Sequence, residues 1–204
     1  MSGALNGVQA QFSRTHGCAL YIHCHAHRLN LVIVSVAHQL KLASEFFGLV
    51  EALYVFVTRQ KVHEQFVRKQ RERELTVREL ARLSDTRWAC RYHNVAVVIE
   101  RLDTVIDVLC EVQETSDSQT TVQARGLEVQ VKTVHSVTCL VVFNRILSLS
   151  NGVNETLQST TLTIAESDQL INSTITALTD LHENGWQEVW GRRKNCAKRL
   201  ELTP

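Results

Sequence analysis

The sequence predicts a mainly α fold, and three observations carry that prediction. The first is proline: the single one is Pro204, the last of 204 residues. A chain of average composition would hold roughly ten. Proline is excluded from helix interiors because it lacks an N–H and clashes with the preceding turn. The second is the scarcity of glycine, eight in all, which argues against a β-sandwich with its many Gly/Pro turns. The third is the recurrence of apolar residues at intervals of three and four, the period of an amphipathic helix.

The elements follow in order. Residues 1–12 read as the tail of a helix or a loop rich in small residues. Ala19-Leu20-Tyr21-Ile22 is a short apolar run between Gly17 and His23-Cys24-His25, and it predicts one buried strand near 19–23. From Ala26 the pattern turns helical, with Leu29, Val32, Ile33, Val36, Ala37 and Leu40 on one face. Phe46, Leu49, Val50, Leu53 and Val57 form the next stripe, which grades into a charged stretch from Arg59 to Arg82. Ser84-Asp85-Thr86 is a break with helix-capping chemistry. After it, Val95, Val98, Ile99, Leu102, Val105, Ile106, Leu109 and Val112 keep helical spacing for about five turns. Residues 115–121 (TSDSQTT) read as a polar linker. One helix is expected from about Leu127 to Asn151-Gly152, another from Leu162 to Leu181, and a short tail from Trp186 to Leu202 carries Arg192, Arg193, Lys194, Lys198 and Arg199.

The length suits one domain, or one and a half. Net charge is +1, from 22 basic and 21 acidic residues, so no bulk attraction to nucleic acid is expected, and only a local patch can supply one. Residues 1–17 lack a continuous apolar core, and the longest apolar stretch, Leu29–Ala37, is too short to span a bilayer. The expectation is a chain that is neither secreted nor membrane-bound. Its six cysteines are then reduced thiols, as in the cytosol or nucleus, and the Asn154 and Asn172 glycosylation patterns arise by chance.

Several groups of residues invite chemistry. Glu100, Asp103, Asp107, Glu111 and Glu114 lie opposite the apolar stripe of the long helix and read as a solvated face. Cys24 and His27 have zinc-ligand spacing, repeated by Cys90 and His93. Four such ligands could close a tetrahedral site. The competing reading is a buried cysteine and a structural histidine at a strand-to-helix turn. Arg87-Trp88 behind Ser84-Asp85-Thr86 can be structural, or can place a cation on phosphate and a ring on an unpaired base. The basic tail 192–199 reads as a solvated helix end. No nucleophile elbow, phosphate loop or dinucleotide fingerprint occurs, so neither cofactor nor small-molecule substrate is expected.

Three stretches in order resemble hAT-type transposase-like proteins, and among them the domesticated branch of zinc finger MYM-type proteins. Met1-Ser2-Gly3 with Asn6-Gly7-Val8-Gln9 resembles the end of an Asp-Gly-Ala-x-Asn-Met-Ser-Gly motif. Cys24 to His27 with Leu29-Asn30-Leu31 resembles the Cys-x-x-His and Leu-Asn-Leu signature, and Asp85-Thr86-Arg87-Trp88 the Thr-Arg-Trp element. Leu157-Gln158-Ser159 resembles a later Leu-Gln motif. The resemblance implies an RNase H-like core split by a helical insertion: residues 1–28 as a remnant of the core, with one or two short strands, and 29–204 as the insertion. The family's chemistry is two-metal phosphoryl transfer by two Asp and one Glu, and on this alignment all three fall outside the chain, so no enzyme is expected. Cys24 and His27 then match the pair at the edge of the core. Arg87 and Trp88 match the pair that handles a flipped base or hairpin end. The family's DNA-binding zinc finger, a separate N-terminal module, has no match here. The implied parent is nuclear and DNA-associated, with DNA as its partner. The alternative is a helical protein-interaction module that binds proteins or itself and has no nucleic-acid role.

Overall fold

The structure is a computed structural model that describes residues 7–18, 24–82 and 88–200. Among them are ten helices and no strand: α1 Val8–Thr15, α2 His25–Gln39, α3 Lys41–Val57, α4 Gln60–Glu72, α5 Trp88–Glu100, α6 Leu102–Thr115, α7 Ser118–Val131, α8 Val134–Leu157, α9 Ile164–Glu183 and α10 Trp186–Arg199. The predicted helical class is borne out. The strand expected at 19–23 lies outside the described residues.

Apolar burial organises the bundle. α8, of 24 residues, packs against α2, α3, α5, α7, α9 and α10. Phe46 and Phe47 of α3 meet Phe143 of α8 with ring centroids 5.0 Å apart in each pair, and the Arg91 guanidinium lies 4.7 Å from the Phe47 ring centre. Phe56, Phe66, Leu53, Leu102, Leu109 and Leu147 are fully enclosed, each stabilising the fold by about 1.5–3 kcal/mol relative to exposure. α8 is also long and apolar enough to cross a membrane, by length and composition, and 39% of that stretch is buried in this fold.

The five-turn stripe at 95–112 is buried as its spacing predicts, Ile99 being only partly covered. It does not form one helix. The chain leaves helical geometry for one residue, Arg101 (φ −108°, ψ 21°), between α5 and α6. Arg101 N–H still donates to the Val97 carbonyl at 2.9 Å and Val105 N–H to the Arg101 carbonyl at 2.8 Å, so the apolar seam runs through the break. The helix expected from 127 to 151 is likewise two helices. They part at Lys132-Thr133, where the Thr133 hydroxyl accepts a hydrogen bond from Ser136 N–H at 3.0 Å and caps α8. Most of the TSDSQTT stretch is the first turn of α7: the Asp117 carboxylate accepts from Gln119 and Thr120 N–H, both at 3.0 Å.

Two further expectations need correction. On α2 the buried side is Ala26 and Ala37 with partly covered Ile33, whereas Val32, Val36 and Leu40 stand in solvent beside exposed Leu31. The helix lies rotated from the face its stripe predicted: it packs on α3, α5 and α8 with Ala37 in the core cluster. The acidic row is not a bare solvated face either. α4 runs antiparallel to α6, and Arg68 and Lys69 pair with Glu111, Arg73 with Asp107, and further on Arg78 with Glu100. From α10, Arg199 reaches Asp103 at 2.6 Å. The basic stretch 59–82 is therefore the partner of the acidic row.

Candidate nucleic-acid interface

The Ser84–Trp88 motif follows a segment whose conformation is tightly determined. α4 ends in a Schellman turn: Leu75 N–H donates to the Gln70 carbonyl and Glu74 N–H to the Arg71 carbonyl, both at 2.9 Å. Glu74 has φ 57° there, a left-handed conformation that glycine usually supplies. The chain then leaves helical geometry over 75–82.

Two buried carboxamides grip that segment as a neighbouring strand would. Gln70, fully enclosed, accepts from Arg78 N–H at 2.9 Å and donates to the Arg78 carbonyl at 3.0 Å. Asn94, also fully enclosed, accepts from Ala81 N–H at 2.8 Å and donates to the Ala81 carbonyl at 2.6 Å. A non-helical segment packed against helices has no ladder for its backbone, so these side chains satisfy groups that would otherwise be orphaned. Arg101 adds bonds to the Gln70 amide oxygen at 3.1 Å and the Thr76 carbonyl at 3.0 Å. His93 Nε2 lies 2.7 Å from the Glu79 carbonyl, and His63 Nε2 lies 2.8 Å from the Glu79 carboxylate. Leu80 drops into the core.

Arg87 falls in 83–87, outside the described residues. Trp88 is the first residue of α5, and its side chain is likewise outside the description. Cys24 is exposed at the N-cap of α2, and His27 is exposed one turn along. Cys90 is half-buried, and the His93 ring is engaged by the Glu79 carbonyl. Cys24, His27, Cys90 and His93 are not brought together as a ligand set: among the described residues no three His, Cys, Asp or Glu side chains gather as a metal site.

The electrostatics of the charged faces are structural. Hydrogen bonds from Lys69 and Arg68 hold the Glu111 carboxyl below its usual range. Lys132, then Gln113, does the same for Glu128. Burial pushes the Cys110, Cys139 and Cys196 thiols up, which keeps them protonated and poorly nucleophilic.

The sequence reading missed Gln70 and Asn94. Their signal was register: Gln70 lies four residues after buried Phe66, and Asn94 four before buried Val98. A polar residue at a core position implies a buried hydrogen-bonding partner. In comparisons with known proteins the chain matches no family model, no curated protein and no solved structure.

Proposed function

We propose that this chain is a non-catalytic, transposase-derived piece of a nuclear, DNA-associated protein, with Arg87 and Trp88 as its contact to an unpaired base or a hairpin end. One observation supports this above the motif order. The backbone that leads to Ser84-Asp85-Thr86-Arg87-Trp88 is anchored at Arg78 and Ala81 by fully buried carboxamides. Holding a displaced base in one orientation needs a fixed platform, because looseness of about an ångström loses orientation. In this reading residues 1–28 come from the RNase H-like core with its strands, and the remaining helices are the insertion. On the same reading the chain neither nicks nor joins DNA.

The test is binding of hairpin-ended and blunt duplex DNA across a salt series. The expected result is a preference for the hairpin end that weakens with salt and is lost in Arg87→Ala and Trp88→Ala. Equal binding by both variants removes the assigned contact, and metal-dependent nicking by the purified chain removes the non-catalytic reading.

The second reading, a protein-interaction module, is favoured by the exposed apolar row Leu31, Val32 and Val36 on α2 with Leu40 at its C-cap. A row of this kind calls for a covering surface. It predicts concentration-dependent self-association, or partner capture, that no DNA ligand perturbs.

A further inference from the structure

The C-terminal helix carries a feature outside the Ser84–Trp88 motif. Trp186, Trp190, Lys194 and Lys198 follow one another at four-residue spacing along α10, which makes each the neighbour of the next, about one turn on, along a strip that winds slowly round the helix. All four are exposed, Trp186 at 56% and Trp190 at 37%. The two indole rings lie 5.9 Å apart at 33° to each other. Behind them Arg193 is 8% exposed, with its guanidinium 4.1 Å from the Trp190 ring centre.

The charges on this helix divide into two groups. Arg192 pairs with Glu188 at 3.1 Å, and Arg199 pairs with Asp103. Arg193, Lys194 and Lys198 have no carboxylate partner among the described residues. Arg193 Nε is buried without a hydrogen-bond acceptor. A buried guanidinium nitrogen without an acceptor is costly, and the stacking of the group on Trp190 offsets only part of that. The missing component is an anion that also carries flat apolar surface.

We propose that this face of α10 binds single-stranded nucleic acid. Successive bases stack on Trp186 and Trp190, while phosphates take Lys194 and Lys198 with Arg193 behind them. Each nucleotide supplies a π-face and a phosphate, the pairing that two aromatics followed by three uncompensated cations would recognise. Duplex DNA hides its base faces. Insertion into a membrane surface needs a broad apolar face, but the large apolar side chains that α10 exposes are Trp186 and Trp190 alone, Val189 being turned into the core. This inference stands independently of the Arg87–Trp88 assignment.

The experiment is fluorescence anisotropy of a labelled oligo-dT 12-mer titrated with the full chain over a salt series. Trp186→Ala/Trp190→Ala and Lys194→Glu/Lys198→Glu are each expected to weaken binding about tenfold or more. The lysine pair should also flatten the log–log salt slope by about 1.4. Trp190→Phe, which keeps a π-face, should retain binding. The Trp186→Ala/Trp190→Ala variant should keep the preference for hairpin-ended over blunt duplex DNA, which separates failure here from failure of the hairpin reading. Unchanged oligo-dT affinity in both α10 variants overturns the proposal. So does tighter binding of poly-glutamate or of phosphatidylserine vesicles than of oligo-dT at equal salt.

Discussion

Asn94 pairs with Ala81 through both halves of its carboxamide: Ala81 N–H donates to Oδ1 at 2.8 Å, and Nδ2 donates to the Ala81 carbonyl at 2.6 Å. A helix side chain thereby does the work of a strand backbone. This contact and its counterpart at Gln70 and Arg78 decide how the chain travels from α4 to α5.

Replacing Asn94 by Ala leaves the Ala81 N–H and carbonyl buried without partners. The expected cost is about 2–4 kcal/mol, read as a lower urea midpoint. Limited proteolysis should now cut within 75–82. Asn94→Asp can accept but not donate, and its charge faces the Ala81 carbonyl. It should be less stable than wild type at pH 7 and recover part of the loss near pH 4. If both variants unfold like wild type and resist protease, the clamp carries no stability.

Glu74 holds a left-handed backbone with a side chain that disfavours it. Glu74→Gly should raise stability by about 1 kcal/mol, since Glu74 is not among the ion-paired acids of the α4–α6 face. Thermal denaturation measures this, and a fall in Tm would show that the Schellman turn does not set the cost.

Acid should loosen the bundle in a defined window. Glu111 and Glu128 have carboxyls held below their unfolded values by Lys69 with Arg68 and by Lys132 with Gln113. Depressed folded values mean that their contribution is complete above the unfolded pKa, about 4.3, and is lost as pH falls through the folded values. Stability should be flat from about pH 5 to 7 and decline below about pH 4. Glu111→Gln should be less stable at pH 7 and show a shallower acid limb. An identical limb would assign the transition to other carboxylates.

Thiol labelling should sort the cysteines by burial. Cys18 and Cys24 are exposed, while Cys139 and Cys196 are buried, with burial holding both thiols protonated. A thiol reagent at pH 8 should modify the first two rapidly and the last two only at the rate of unfolding. Equal rates at all four would mean the α8 and α10 contacts open readily.

The α2 row offers a surface test. Val32→Lys/Val36→Lys should change stability by less than about 0.5 kcal/mol per site, because both residues are exposed. Any concentration-dependent self-association seen by sedimentation should fall. Marked destabilisation would instead mean that this face is packed in the folded chain.

The helical class and the buried seam from Val95 to Val112 were legible in the sequence, whereas the TSDSQTT stretch, read as a linker, holds the Asp117 cap and first turn of α7. Hydrophobic period is legible because it is local, as capping chemistry is: both depend on residues within a turn or two. Tertiary structure alone decided the rest. The rotation of α2, which leaves Val36 in solvent and buries Ala37, depends on which neighbour arrives and how closely its backbone approaches. The pairing of Arg73 with Asp107, and of Gln70 with Arg78 and Arg101, spans stretches of chain that no local pattern connects. The interruption at Arg101 falls where its guanidinium is bound to Thr76 and Gln70, 25 and 31 residues earlier. An amphipathic period states that a face is covered; only the assembled fold determines by what, and whether a charge beside it meets a carboxylate, as Arg199 does, or an aromatic ring, as Arg193 does.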